Sequence, residues 1–181
     1  ENIKMGLKRS TEKEEFENRK LNYNKQNNSE LTIINYRGGF FTNMLCFELT
    51  SLPDRAKLVD KITNLFVPVL NKDTNYFSSI VDTTARELYC FVSLANTSCY
   101  GDSRITGPFG KEKKDIVRLN GGQNGYLAVG SMNLMELLEN REKQSEKRDK
   151  SSKYKPLPAS GRKKLIGDEE EDLCIILDYS I

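Results

Sequence analysis

The chain has 181 residues, 37% hydrophobic and 30% charged, with 28 Lys and Arg against 26 Asp and Glu. That length suits one domain, or one and a small appendage, and the mean hydropathy of −0.61 leaves a compact core to about two-thirds of it. A formal net charge of +2 does not point to nucleic acid by itself, and the absence of histidine removes Ser-His-Asp and Cys-His catalysis and HExxH zinc sites. The usual proton shuttle near neutral pH goes with it, so the sequence leans against an enzyme without excluding one.

Four cysteines, Cys46, Cys90, Cys99 and Cys174, form no CxxC pair and read as free thiols, mostly buried, of a reducing compartment. No apolar run approaches the length of a spanning helix, and the polar N-terminus has no signal-peptide core. The expected location is intracellular, cytoplasmic or nuclear, with no membrane contact. The non-Met start and the end at Ile181 read as those of a fragment, and heavy Asn and Lys usage hints at an AT-rich genome, a viral one among the candidates.

In chain order, Thr11 to Glu14 fits a capping box and starts a polar helix over 12–23, followed by an Asn-rich loop. Residues 31–36 and 40–49 read as strands joined through Arg37-Gly38-Gly39. Ser51-Leu52-Pro53-Asp54 starts a helix over 53–66, with Leu58, Ile62, Leu65, Phe66 and Val69 on one face and Pro68 ending it. Residues 77–81 suggest a short strand. Residues 87–95 are apolar on both alternating faces and suggest a central one.

A loop over 96–110 follows, then short strands at 116–119 and 126–129 joined by a glycine-rich hairpin, 120–125. Ser131 caps a helix to about Lys143, the prolines at 156 and 158 mark a linker, and Leu173 to Tyr179 is the last strand. The implied division is an N-terminal helix and loop (1–28), a core (29–143), a charged linker or disordered loop (144–172) and a returning strand (173–181). The fold class is α+β: a mixed or antiparallel sheet with two or three packed helices and a long charged mobile loop.

Asp102, Glu112 and Lys114 echo the Asp…Glu-x-Lys spacing of metal-dependent nucleases, with Asp102 and Glu112 as Mg²⁺ ligands and Lys114 steadying the attacking water. Glu112 lies in a charged turn, Lys-Glu-Lys-Lys, where a solvated surface is the simpler reading. Gly107 to Lys111 lacks the spacing of a phosphate loop, and Pro108 has no N–H with which to cradle phosphate. No cofactor is implied.

The basic residues Arg141, Lys143, Lys147, Arg148, Lys150, Lys153, Lys155, Arg162, Lys163 and Lys164 surround Tyr154 and could follow a phosphate backbone with stacking added. The acids Asp168 to Asp172 could neutralise them. Arg37, Lys57, Arg86, Arg104 and Arg118 could share a face with Tyr89 or Tyr126. The expected function is a non-catalytic binding or scaffolding module. Its partners would be other domains of the parent protein, a protein, or RNA or other nucleic acid through residues 141–164. The alternatives are a metal-dependent nuclease and a nucleotide or small-ligand sensor using the loops 96–110 and 120–125.

Overall fold

The computed structural model describes residues 31–146, 153–158 and 174–177. The expected helix at 12–23, most of the linker and the acidic run lie outside the described residues.

The described chain forms an α+β fold around a seven-stranded mixed sheet. Its strands are β1 (Leu31–Tyr36), β2 (Gly39–Asn43), β3 (Asn64–Pro68), β4 (Phe91–Ala95), β5 (Ser103–Thr106), β6 (Asp115–Leu119) and β7 (Cys174–Leu177). They lie in the order β6-β5-β4-β3-β2-β1-β7. The pairs β2–β3 and β3–β4 are parallel, and the others are antiparallel. The expected tight hairpin joins β1 to β2, with Arg37 and Gly38 both at positive φ (48° and 75°). The last strand does return to the sheet, where Leu31 pairs with Leu177.

Three helices pack on the sheet: α1 (Leu52–Ala56), α2 (Thr74–Glu87) and α3 (Leu134–Glu146). Parallel neighbours need crossovers, and α1 and α2 supply them. Both lie on one face, where Phe77, Val81 and Ala85 of α2 join Leu65, Val67, Val92 and Leu94 in the main core. The opposite face carries a smaller cluster built from Tyr89, Phe91, Tyr154 and Leu137 of α3. Outside that cluster the sheet shows Ile34, Tyr36 and Phe66 to solvent.

Five expectations change. The helix over 53–66 is only the short α1, because residues 64–68 form β3. Leu65 and Val67 are buried while Phe66 and Pro68 are exposed, a period of two, and Pro68 is tolerated as the last strand residue. The strand at 77–81 is instead the middle of α2, capped by Asp73, whose side chain accepts from the Tyr76 N–H at 3.2 Å. The loop over 96–110 contains β5, and no strand forms at 126–129, where Leu127 and Val129 are exposed. The charged linker also includes an ordered piece: Tyr154 is buried and bridges to Phe109.

Candidate functional site

Strands β2, β3 and β4 run parallel, so their carboxyl ends share one edge of the sheet. In open sheets of this kind the crevice beyond the carboxyl ends is where ligands bind. The register pairs Asn43 with Phe66 and Pro68 with Ala95. Just beyond them the Met44 N–H bonds the Phe66 carbonyl at 3.0 Å and the Val69 N–H bonds the Ala95 carbonyl at 2.8 Å.

Cys46 has φ +41°. It leaves the strand direction at this point and opens a 3-10 turn, Cys46–Thr50, that runs into α1. A non-glycine residue in the left-handed region costs of order 1–3 kcal/mol and persists only where its surroundings hold it there. Here they do. The Glu48 carboxylate accepts from the Leu45 N–H at 2.9 Å, and Thr50 Oγ1 donates to the Phe47 carbonyl at 2.7 Å. One guanidinium nitrogen of the buried Arg55 donates to the Leu49 carbonyl at 2.8 Å. Cys46 is half-buried, its inner side packed on the main core.

Among the described residues, four other non-glycine positions have positive φ: Arg37, Asp60, Tyr89 and Asp102. None of them carries a nucleophilic thiol. Cys99, also near the carboxyl edge, is exposed and meets Thr97 Oγ1 at 3.5 Å. Cys90 is completely buried, and burial pushes its thiol up to about 12.

The sequence-proposed site residues are scattered. Arg141, expected on a phosphate backbone, is buried, and its guanidinium donates to the carbonyls of Ile62, Leu88 and Tyr89. Burial lowers its pKa, against the attraction of Cys90, Asp60 and Tyr89. Tyr154 is buried against Phe109, with ring centroids 4.9 Å apart, and borders the same cleft as Phe91 and Phe109. Lys143 pairs with Glu139 at 3.5 Å, and Lys153 with Glu136 at 2.8 Å. Lys153 and Lys155 line a cleft of about 630 Å³ with Phe91, Phe109 and Glu112, at the amino end of β4 and away from Cys46. Lys147, Arg148, Lys150, Arg162, Lys163 and Lys164 lie outside the described residues.

Asp102 and Glu112 are not brought together, since they lie at opposite ends of β5. Asp102 is buried and accepts from Arg118 Nε at 2.7 Å, and Lys114 bonds Asp82. Arg104 is fully buried, facing Asp82 at 3.3 Å and Asp115 at 3.6 Å. These charges tie β5 and β6 to α2 rather than forming a common surface. Among the described residues, no group of three or more His, Cys, Asp or Glu is placed to hold a metal ion. No described helix is long and apolar enough to cross a membrane.

Sequence reasoning missed Cys46 because it placed the residue inside a strand over 40–49. The available signal was a thiol between an apolar run and the Ser51-Leu52-Pro53 helix start. A strand must turn there to reach a helix.

No family model matches the chain, and no curated protein does. Among solved structures, a CN-hydrolase superfamily protein from Xanthomonas campestris, with an arsenic adduct in its active site, superposes at TM-score 0.51. Identity is 14%, over 71% of this chain and 52% of that one. An amidase of the nitrilase superfamily from Nesterenkonia AN1 gives TM-score 0.44 and 15% identity, over 51% of this chain and 38% of that one. A glutamine-dependent NAD+ synthetase from Acinetobacter baumannii gives TM-score 0.43 and 9% identity, over 68% and 27%. The Xanthomonas likeness establishes a shared fold, of which this chain spans about half the length.

That fold corrects the expectation of a non-catalytic binding or scaffolding module. The RNA-binding, nucleic-acid-binding and viral assignments and the nucleotide-sensor alternative fall with it, since the Xanthomonas structure that shares the fold is a CN-hydrolase superfamily protein, and the nuclease alternative loses its site because Asp102 and Glu112 lie apart.

Proposed function

We propose that this domain carries the nucleophile of a hydrolase acting on carbon–nitrogen bonds of the amide class, and that the nucleophile is Cys46. The observation that supports the reading is the left-handed backbone of Cys46 at the strand-to-helix turn off the carboxyl end of β2, in a fold shared with a CN-hydrolase. A strained turn of this kind lifts a nucleophile off the sheet into the crevice.

In this reaction the Cys46 sulfur attacks the amide carbonyl carbon and the thiol proton goes to the departing nitrogen. The C–N bond breaks to leave a thioester and free ammonia or amine. Water then cleaves the thioester to a carboxylic acid and returns the proton to sulfur. The first N–H groups of the 3-10 turn have no carbonyl partner within it, and they are donors available to the carbonyl oxygen as it turns anionic. Glu48 and Arg55 are positioning residues: they hold the turn and take no part in bond-making.

The test is incubation with a panel of primary and secondary amides, read by peptide mass and by release of ammonia or amine. An acyl increment on the Cys46 peptide, absent in Cys46→Ala, is expected. Amine release that survives Cys46→Ala, or no adduct with any amide, contradicts the reading.

A further inference from the structure

We infer that Asn96 is a positioning residue for the Cys46 site, fixing the loop beside it; the inference rests on the reading of Cys46 as nucleophile. Asn96 follows the last residue of β4. Its Oδ1 accepts from the N–H groups of Asn71 at 3.1 Å and Thr97 at 2.9 Å. Its Nδ2 donates to the carbonyls of Asn71 at 2.7 Å and Gly101 at 2.9 Å. A side-chain amide offers two donors and two acceptor lone pairs, and all four are used. The Asn96 backbone is held as well: its N–H donates to Ser103 Oγ at 2.9 Å, and its carbonyl accepts from the same hydroxyl at 3.1 Å.

The two bonds to Asn71 replace the ladder that β3 and β4 would have made had they continued. The main-chain ladder ends with the Val69 N–H bonded to the Ala95 carbonyl at 2.8 Å. Two residues further on, both polar groups of the Asn71 backbone are taken by one side chain. On the far side, Gly101 has φ +77°, and a Cβ there would lie 2.0 Å from the Asn120 carbonyl oxygen, so that loop cannot retreat. Asn96 therefore ties the 69–73 loop to a buttressed one, 96–101. Strand β3 lies between β2 and β4, so the segment after β3 leaves the sheet between those that carry Cys46 and Asn96. Val69 and Cys46 pack on the same core. A shift of the 69–73 loop is thus passed to the wall of the Cys46 crevice.

The isosteric change Asn96→Asp separates this role from bulk stability. It keeps the acceptor and replaces the donor with a carboxylate facing two carbonyls. The Oδ1 contacts with the Asn71 and Thr97 N–H groups stay, while the Asn71 and Gly101 carbonyls lose their donor and face a second carboxylate oxygen.

The experiment is iodoacetamide modification of the whole 181-residue chain, with the rates at Cys46 and Cys99 read separately by peptide mapping between pH 5 and 8. Asn96→Asp is expected to slow Cys46 roughly tenfold, the scale of loss when a positioned group shifts by a fraction of an ångström. Ser103→Ala, which frees only the Asn96 backbone, should slow it by less. Leu137→Ala, which weakens the opposite face of the sheet, should leave the Cys46 rate unchanged. Equal rates in Asn96→Asp and wild type at every pH, or equal slowing by Leu137→Ala, would overturn the inference. A wild-type Cys46 no faster than Cys99 would instead reject the nucleophile itself.

Discussion

A left-handed φ at Cys46 is a cost that the Glu48, Thr50 and Arg55 hydrogen bonds sustain. Two substitutions separate the thiol from its backbone. Cys46→Ala and Cys46→Gly should both abolish acyl transfer, but glycine adopts φ +41° without a Cβ penalty. The glycine variant should be the more stable of the two by about 1 kcal/mol, measurable by urea denaturation. Cys90 behaves in the opposite way. Its thiol is pushed up to about 12 by burial, chiefly through loss of solvation. A raised folded pKa means stability that is fully present below the ordinary thiol pKa and lost as pH climbs toward about 12. Tyr89 is shifted upward by burial as well and adds to the loss at higher pH. Stability should therefore fall steadily above pH ~9, where an ordinary thiol has ionised, and Cys90→Ala should flatten the first part of that fall.

At the scale of elements, the sequence was read well where periodicity was unambiguous and badly where it was short. The β1–β2 hairpin was legible because Arg37-Gly38-Gly39 can supply two positive φ angles. The helix over 53–66 failed because Leu58, Ile62, Leu65 and Val69 are spaced as on a helix, yet Asp60 turns the chain at φ +62° and β3 follows. Residues 77–81 failed because Phe77, Ile80 and Val81 suit a strand as well as the buried stripe of α2. Arg141 was misplaced for a related reason. Leu137, Asn140, Arg141 and Gln144 sit at i, i+3, i+4 and i+7 and are all buried, so Arg141 belongs to the inward face of α3. Arg141→Ala should cost about 3 kcal/mol, since it leaves the carbonyls of Ile62, Leu88 and Tyr89 without their donor, and Arg141→Lys should recover little of it. Thermal unfolding would read both. A mobile phosphate-binding arginine would instead tolerate either change.

For the molecule as a whole, the mixed α+β character was legible, but the strand order was not. Nothing in the sequence says that β7 pairs with β1 at one edge while β6 closes the other. The order follows from crossovers that the sequence reading had partly taken for other elements. Deleting residues 174–181 should leave β1 as an open edge with its Leu31–Ile34 backbone unpaired. Such edges recruit other chains, so the truncated protein should self-associate, and light scattering would detect it. The candidate site was the least legible part, because it is made by three parallel strands ending together and by one backbone angle, and neither is a motif.

The central claim is that Cys46 is the reactive thiol, and a timed iodoacetamide reaction on the native protein, mapped peptide by peptide, tests it most directly. Exposure alone ranks Cys99 first, Cys46 second and Cys90 last, since they are exposed, half-buried and buried respectively. The account predicts Cys46 first, ahead of the more exposed Cys99, with Cys90 unmodified until the protein unfolds. Modification of Cys99 before Cys46 would contradict it.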